Sequence, residues 1–371
     1  MSHASPEPAP VPWPAASDAA PLTWALCVAT LDRIDMLEHC VACALRQTRQ
    51  PAQIVIVDAS ADWPANHARI RALVADRAPL IYRPAPERSS TVQRNTAIAA
   101  TDADICMLID DDSLMHDDCA EAVMRIYEAD TEGRILGIAA VDAPSPLDIG
   151  RVARKEGSEA SGRARAITGS RIGAFLWKHL FLMNRAATFV PYAGPFGSSV
   201  PDWAAARGFD LRPVIQLPGC QMTARRSALL REPFEPAFRS YSPGEDFDIS
   251  YRLSRIGAIC AAPAARIHHH EVAASRIRRE QELVLSICNA AYLLRKHSPD
   301  LERDRRRWAV LMSRRLLAEL LKDGLSRRWR FPQLRAARQA RAISRRIMAF
   351  PDRNGLAAWY VTVQEGILKQ R

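Results

Sequence analysis

The sequence lacks the glycine-rich loops with which many nucleotide-binding proteins hold phosphate groups. Neither G-x-G-x-x-G nor G-x-x-x-x-G-K-S/T occurs among its 371 residues. In those signatures the glycines let the backbone approach a pyrophosphate closely. Their absence argues against a dinucleotide-dependent dehydrogenase and against a P-loop NTPase.

Long hydrophobic runs are also missing, and no window offers about 18 continuous apolar residues, so we predict no membrane span. The first 21 residues are rich in Pro, Ala and Ser and lack a basic region followed by an apolar one, which predicts a disordered tail rather than a signal peptide. Among eight cysteines, the close pair Cys40 and Cys43 has no second pair at zinc-finger spacing. These features favour a globular protein of the reducing cytoplasm.

Positive charge is concentrated near the C-terminus. Residues 303–346 contain fourteen arginines and one lysine against three carboxylates. The net positive charge of this segment exceeds the net charge of +10 of the whole chain. Apolar residues recur there at helical spacing beside arginine-rich faces, at Trp308, Val310, Leu311, Leu316, Leu317, Leu320 and Leu321. Such a helix suits an anionic membrane surface or packing on the protein's own core. Nucleic acid is not expected, because no nucleic-acid-binding motif accompanies the charge.

The first half of the chain alternates between short apolar runs and helical patterns. Helices separate four predicted strands, which are Trp24–Thr30, Gln53–Asp58, Leu80–Arg83 and an apolar run that ends at Asp110. This order predicts a mainly parallel sheet. Because right-handed crossovers bring the carboxyl ends of parallel strands to one edge, we expect Thr30, Asp58 and Asp110 on the same side of the sheet.

Three consecutive carboxylates, Asp110, Asp111 and Asp112, directly follow the last of these apolar runs. Packed together, they repel one another and are costly to desolvate unless a cation lies among them. Hard divalent cations prefer carboxylate oxygen. The triplet therefore predicts a metal site, with a solvated acidic loop as the alternative.

A second acidic block occurs at Gly244-Glu245-Asp246, where a helical pattern begins and continues through Arg255. The first turn of a helix favours carboxylates through its N–H groups and dipole, so capping is one explanation for this block. Between the two blocks, residues 143–170 contain several prolines and glycines and few apolar residues, which predicts a mobile loop.

These pieces and their order resemble the family 2 glycosyltransferases, inverting nucleotide-sugar-dependent enzymes of the GT-A fold, over roughly residues 22–270. The stretch Gln47-Thr48-x-x-Pro51-x-x-Ile54-x-Ile56-Val57-Asp58 is similar to the second strand of that family. Gln93-Arg94-Asn95-Thr96-Ala97 resembles its Arg-Asn-x-Gly segment, with alanine where glycine is common. Asp110–Asp112 stands where the metal-binding D-x-D lies, and Glu245-Asp246 resembles the acceptor-side Glu-Asp.

The resemblance implies a role for each matching residue. Asp110, Asp112 and, from the run His268–His270, His268 would hold a divalent metal, Mn²⁺ or Mg²⁺. Asp246 would be the general base for the acceptor hydroxyl, and Glu245 would bind the acceptor or orient Asp246. The donor nucleotide would be contacted by Thr30, Arg33, Asp58, Arg94, Asn95 and Asp111.

The expected fold is a mixed, mainly parallel GT-A sheet flanked by helices, with a helical C-terminal extension. We expect four regions: a disordered tail at 1–21, a donor-binding half at 22–142, an acceptor and catalytic half at 143–272, and an arginine-rich helical extension at 273–371. Residues 303–346 would place this cytoplasmic protein peripherally on the inner face of the cell membrane, or else pack on the core.

Processive synthases of the family pair a Gln-x-x-Arg-Trp motif with several membrane spans, and neither occurs here. We therefore expect a non-processive, hexosyltransferase-like activity that adds one sugar to a growing glycan or a lipid-linked glycan, as in polysaccharide biosynthesis. The alternative is a noncatalytic sugar-nucleotide-binding or glycan-binding protein on the same scaffold. A sugar-1-phosphate nucleotidyltransferase is disfavoured, because a Gly-rich, Arg-containing loop is missing between Trp24 and Asp35.

Overall fold

The fold is described from a computed structural model, which covers residues 21–147, 175, 199–270 and 277–369. The expected tail at 1–21 lies outside these residues except for its last position, and so does most of the expected loop at 143–170. The elements of the first half are β1 (Trp24–Thr30), α1 (Ile34–Leu45), β2 (Gln53–Asp58), α2 (Trp63–Val74), β3 (Leu80–Pro84), α3 (Ser90–Ala100), β4 (Ile105–Leu108), β5 (Ser113–Met115), α4 (Cys119–Ala129) and β6 (Ile135–Asp142).

After residue 199 the chain completes the sheet and then becomes helical. The described elements of this half are α5 (Trp203–Ala206), β7 (Arg212–Pro213), β8 (Met222–Arg225), α6 (Arg226–Arg231), α7 (Glu245–Ser254), β9 (Ala258–His269), α8 (Arg279–His297), α9 (Leu301–Leu325), α10 (Pro332–Ala349) and α11 (Arg353–Leu368). No described helix is long and apolar enough to cross a membrane.

A mixed sheet forms the centre of the fold. Its strands lie in the order β3-β2-β1-β4-β8-β6-β9-β5, and β7 pairs with β9. Six of these described strands run in one direction, and β5, β7 and β8 run in the other. The expected mixed, mainly parallel sheet is thus confirmed, and the ends of β1, β2 and β4 meet at one edge, as the crossover rule requires.

Apolar side chains fill three clusters. One packs α1 and α4 against a face of the sheet, and another packs α3, α6 and α7 against the opposite face. The third lies among the C-terminal helices and includes Phe247 and Tyr251 of α7. Because α7 belongs to both the sheet layer and the C-terminal bundle, it fixes the two relative to each other. Asn289 of α8 strengthens the link, since it donates to the carbonyl of Pro243 at 3.1 Å.

The basic amphipathic pattern of residues 303–346 is partly buried in the bundle and partly exposed. Trp308 and Leu311 of α9 are buried in the bundle, where the indole of Trp308 donates to Ser344. Val310, Leu317 and Leu320 are exposed. The apolar residues therefore divide between two faces of α9 rather than forming one stripe, and only part of the pattern is available to a membrane.

One buried amide ties together the strand ends that carry the polar residues. Gln93 of α3 donates from Nε2 to the carbonyl oxygen of Thr30 at 2.9 Å and to that of Val57 at 2.8 Å. These two carbonyls lie at or near the ends of β1 and β2, and that of Thr30 also accepts from the N–H of Ala59 at 3.0 Å. Gln93 therefore holds the spacing of the two strand ends.

Gln93→Met keeps the length of the side chain and removes both donors. Because two buried carbonyl groups would each lose the hydrogen bond from this amide, we expect the free energy of unfolding to fall by about 1–3 kcal/mol in urea titrations. Gln50→Met, at an exposed position, is the control and should change it by less than about 0.5 kcal/mol. Equal stabilities of the two variants would contradict this role of Gln93.

Candidate active site

The acidic triplet follows β4 and turns its three side chains in different directions. Asp111 and Asp112 are buried, whereas the side chain of Asp110 is 36% exposed. Asp111 accepts a hydrogen bond from Thr30 Oγ1 at 2.7 Å and another from Arg33 Nη1 at 2.9 Å. Burial raises the pKa of Asp111 to about 7, against the opposing charge of Arg33. Thr30 and Arg33 are therefore positioned by the triplet.

Asp110 and Asp112 face a histidine across the sheet edge. Ligand atoms of Asp110, Asp112 and His269 all lie within 4.8 Å of one another. His269 reaches this position because β5 pairs with β9 in the register Ser113 opposite His269. Two carboxylates and an imidazole are a suitable donor set for Mn²⁺ and related divalent ions. These residues therefore fit a metal site.

The surroundings of His269 favour its charged form. Burial lowers the pKa of His269, but the hydrogen bonds with Asp112 and Cys220 outweigh burial and raise the pKa to about 11. The Nε2 atom of His269 lies 3.2 Å from Asp112 Oδ1. A metal ion must displace this proton to use the nitrogen, so metal binding releases protons.

His268 was the histidine expected at the metal, and the geometry favours its neighbour. Successive side chains of a strand point to opposite faces, and His268 shares its face with His270, whose ring centroid lies 6.0 Å away. Its Nδ1 donates to the carbonyl of Ala143 at 2.9 Å. In the proposed ligand set His269 therefore replaces His268.

The second acidic block starts α7, as the sequence predicted. Gly244 caps this helix with φ of +90°, a left-handed conformation that glycine adopts without strain. Asp246 accepts hydrogen bonds from Gln216 Nε2 at 2.6 Å and from the N–H of Phe247 at 2.8 Å. Its carboxylate is thus held by one side chain from the loop before β8 and by the first turn of its own helix.

Arg94 connects the two acidic blocks. It is 4% exposed, donates from Nη2 to Asp110 at 2.8 Å and from Nη1 to Glu245, and also bonds the carbonyl of Gly219. Burial raises the pKa of Glu245 to about 8, although the charge of Arg94 opposes the shift. A β-carbon at Gly219 would lie 2.8 Å from Arg94 Nη2, so a larger residue there would displace the guanidinium.

Two residues that were expected to contact the donor nucleotide form hydrogen bonds within the protein. Asp58 accepts from the N–H of Ser60, from Asn66 and from the hydroxyl of Tyr82. Asn95 exchanges two hydrogen bonds with the backbone of Phe234. Asp58 therefore caps the turn after β2, and Asn95 fastens α3 to the chain before α7.

One cavity of about 1030 Å³ joins the remaining site residues. Its lining contains Thr30, Arg33, Arg94, Asp110, Asp111, Asp112, Glu245, Asp246 and His269. Asp58, Asn95 and His268 are not among the described residues that line it. The donor-side and acceptor-side carboxylates thus face a single space.

Sequence reasoning missed several residues of this cavity. Gln216, Cys220 and Tyr241 line it, and Gln216 holds Asp246. They lie in irregular segments without a recognisable spacing, so no sequence signal pointed to them. His269 could have been found only from the pairing register of β9.

Residues 25–188, just under half of the chain, match the family model described as glycosyl transferase family 2. The family resemblance is confirmed. The matched segment carries the triplet, Arg94, Thr30 and Arg33, whereas Asp246 and His269 lie beyond it. A search of curated protein sequences finds no match.

Solved structures provide the comparison of folds. GalNAc-T7 with UDP, GalNAc and Mn²⁺ is 11% identical with a TM-score of 0.50, over 74% of this chain and 48% of that one. A mannosyltransferase of Pyrobaculum calidifontis, PcManGT, with GDP-Man and Mn²⁺ is 15% identical with a TM-score of 0.45, over 96% and 88%. S. aureus TarS with UDP is 11% identical with a TM-score of 0.44, over 93% and 91%. The expected GT-A fold is confirmed.

Replacing each of the two histidines in turn tests the metal site. We expect His269→Ala to weaken Mn²⁺ binding at least about 10-fold, because one ligand is lost. His268→Ala is the matched control and should leave the affinity nearly unchanged. Electron paramagnetic resonance of free Mn²⁺ measures both, and loss of binding in His268→Ala alone would restore the ligand expected from the sequence.

Proposed function

We propose that this protein transfers one sugar from a nucleotide-diphospho-sugar to an acceptor hydroxyl, with inversion and in a metal-dependent, non-processive reaction. The observation that carries the proposal is that Asp110, Asp112 and His269 face the same cavity as Asp246. A metal site alone would suit many functions. A carboxylate held opposite it supplies the second requirement of sugar transfer, a base for the acceptor.

The donor half follows from the charges around the triplet. We assign the leaving diphosphate to the neighbourhood of Arg33 and Arg94, whose guanidinium groups form charge-assisted hydrogen bonds with phosphate oxygen. A divalent cation held by Asp110, Asp112 and His269 would stabilise the negative charge that develops there. Asp111 and Thr30 lie beside this position and remain our candidates for ribose or base contacts. Asp58 and Asn95 join them only if donor binding rearranges their present hydrogen bonds.

The acceptor half requires one proton transfer. As the acceptor oxygen forms its bond to sugar C1, the bond from C1 to the diphosphate oxygen breaks and the diphosphate keeps the electron pair. The hydroxyl proton passes to Asp246, whose carboxylate is fixed by Gln216. A single displacement of this kind inverts the anomeric carbon, so a second nucleophilic carboxylate is not needed.

Asp246→Asn should lower kcat by about 10²–10⁴-fold, because the amide cannot accept the proton. Nucleotide affinity with Mn²⁺ should stay unchanged, since Asp246 lies on the acceptor side. Sugar transfer or slow hydrolysis from a panel of nucleotide sugars measures kcat, and calorimetry measures affinity. Asp210→Asn, at an exposed carboxylate that pairs with Arg212, is the control. Full activity of Asp246→Asn would remove this residue as the base.

The same experiments separate the proposal from its main alternative. A noncatalytic binding protein on this scaffold would bind nucleotide with Mn²⁺ and still leave every nucleotide sugar intact. The hydrogen bonds that hold the carboxylate of Asp246 in place favour catalysis. We keep the four regions expected from the sequence as our proposed division of the chain. In this division the acceptor half, residues 143–272, selects the acceptor, which is either a growing glycan or a lipid-linked glycan.

We also propose that the C-terminal bundle contacts an anionic membrane surface at the inner face of the cell membrane. The exposed side chains of Leu317 and Leu320 border a groove of about 510 Å³, and Arg338, Arg341 and Arg345 of α10 line its other side. Apolar residues ringed by arginines suit the boundary between acidic headgroups and acyl chains.

Leu317→Glu combined with Leu320→Glu tests this surface by vesicle sedimentation. We expect the fraction bound to phosphatidylglycerol vesicles to fall at least about 10-fold, because two apolar contacts are lost and charge repulsion is added. Leu230→Glu, at an exposed leucine of α6, is the control. Equal binding of all three proteins would refute membrane contact through this patch.

A further inference from the structure

A single exposed aromatic ring opens into the cavity of the acidic residues. Of the large apolar side chains that are exposed in the described part of the chain, Tyr241 alone lines this cavity, and 59% of it is exposed. Its hydroxyl forms no hydrogen bond with any residue that the structure describes. Binding sites for small molecules are lined mainly by apolar and aromatic side chains with a few polar groups. Tyr241 therefore offers both a ring face and a polar group to a ligand.

Tyr241 lies close to both acidic blocks. Partial removal of water by the cavity walls raises the pKa of its hydroxyl, and the carboxylates of Asp110, Asp246 and Glu245 raise this pKa further. The effect of a charge falls off with distance, so these carboxylates are near the hydroxyl. Asp110 is a proposed metal ligand, and Asp246 is the proposed base. The ring therefore borders the space in which sugar transfer would take place.

The backbone that carries this ring is strained and firmly bonded. Ser240 has φ of +58°, in the left-handed region that is unfavourable for a residue with a β-carbon. Its N–H donates to the carbonyl of Arg88 at 2.7 Å, and its carbonyl accepts from the N–H of Ser90 at 3.1 Å. Such conformations persist where the surrounding structure over-determines them, and they cluster at functional sites. The segment at the start of α3 thus fixes the backbone just before Tyr241.

The same stretch of chain leads directly to the proposed base. The carbonyl of Pro243, two residues after Tyr241, accepts a hydrogen bond from Asn289 of α8, and α7 begins two residues later at Glu245. The backbone is therefore fixed on both sides of the ring and again at the helix that carries Asp246. Because the ring and this carboxylate are held on one short stretch, a ligand that packs on the ring can present a hydroxyl group to Asp246.

We propose that Tyr241 is an acceptor-binding residue, whose ring supports the apolar face of an acceptor sugar and whose hydroxyl bonds the hydroxyl groups at the edge of that sugar. This inference rests on the proposed sugar transfer, since the bound sugar must reach Asp246. A pyranose carries C–H bonds on its faces and hydroxyl groups around its edge, and tyrosine likewise combines an apolar ring with a polar tip. Arg88 and Glu282, which also line the cavity, provide further partners for hydroxyl groups.

Methyl glycosides of common monosaccharides and disaccharides are the probes, because they present a sugar ring without a lipid. Saturation-transfer NMR measures their affinity for the full chain in the presence of Mg²⁺ and UDP or GDP. We expect one or more of these glycosides to bind. Tyr241→Ala should weaken that binding at least about 10-fold, because the contact with the ring is lost.

Two further variants show whether the ring itself is responsible. Tyr241→Phe keeps the ring and should retain the affinity within about 3-fold, because it loses only one exposed hydrogen bond. Trp329→Ala removes an exposed aromatic side chain outside the cavity and should leave the affinity unchanged. Absence of binding for every glycoside, or equal affinities of Tyr241→Ala and Trp329→Ala, would overturn the inference.

A separate titration distinguishes the acceptor from the donor, and this inference from the proposed function. With Mn²⁺, the affinities for UDP, GDP and a panel of nucleotide sugars should be the same in Tyr241→Ala as in the full chain. A loss confined to the nucleotide sugars would place the ring at the donor sugar and overturn the acceptor contact. Absence of nucleotide binding in the full chain would contradict sugar transfer, whereas nucleotide binding without glycoside binding would overturn only the role of Tyr241.

Discussion

The ion pairs of Arg94 hold the site together. One buried guanidinium contacts Asp110 after β4, Glu245 at the start of α7 and the carbonyl of Gly219. A buried charge is tolerated only with partners of this kind, and removing one partner leaves the other uncompensated. The guanidinium also lies over the ring of Phe234, 5.5 Å from its centroid. The two acidic blocks are thus coupled through a single side chain whose position is fixed from every side.

The sequence predicted the sheet and the meeting of its strand ends because both depend on regular features, whereas the place of Glu245 and Asp246 beside the triplet was expected only from the family resemblance. The strands β1 and β2 were predicted with the observed bounds, since each is a continuous apolar run between helical patterns. Parallel strands with right-handed crossovers place their ends at one edge whatever the side chains are. Thr30 and Asp111 are therefore in contact although they are 81 residues apart.

The remainder depended on pairings that a single sequence does not reveal. The choice between His268 and His269 is set by the register of the short strand β5 against β9, and a shift of one residue exchanges the two faces. Asp58 looked available because its partners, Asn66 and Tyr82, come from α2 and β3. The apolar residues of α9 divide between two faces because α8 and α10 cover one side of the helix only.

The neighbours Glu245 and Asp246 differ in their surroundings, and this difference supports giving them different tasks. Glu245 is buried against Arg94, which also pairs with Asp110, so Glu245 serves best as part of the bridge between the two acidic blocks. Asp246 accepts a hydrogen bond from Gln216, a neutral donor that helps to fix the carboxylate. A general base must be held within hydrogen-bond reach of the proton that it removes. Asp246, which Gln216 and the first turn of its helix hold in the cavity, is therefore our candidate for the base.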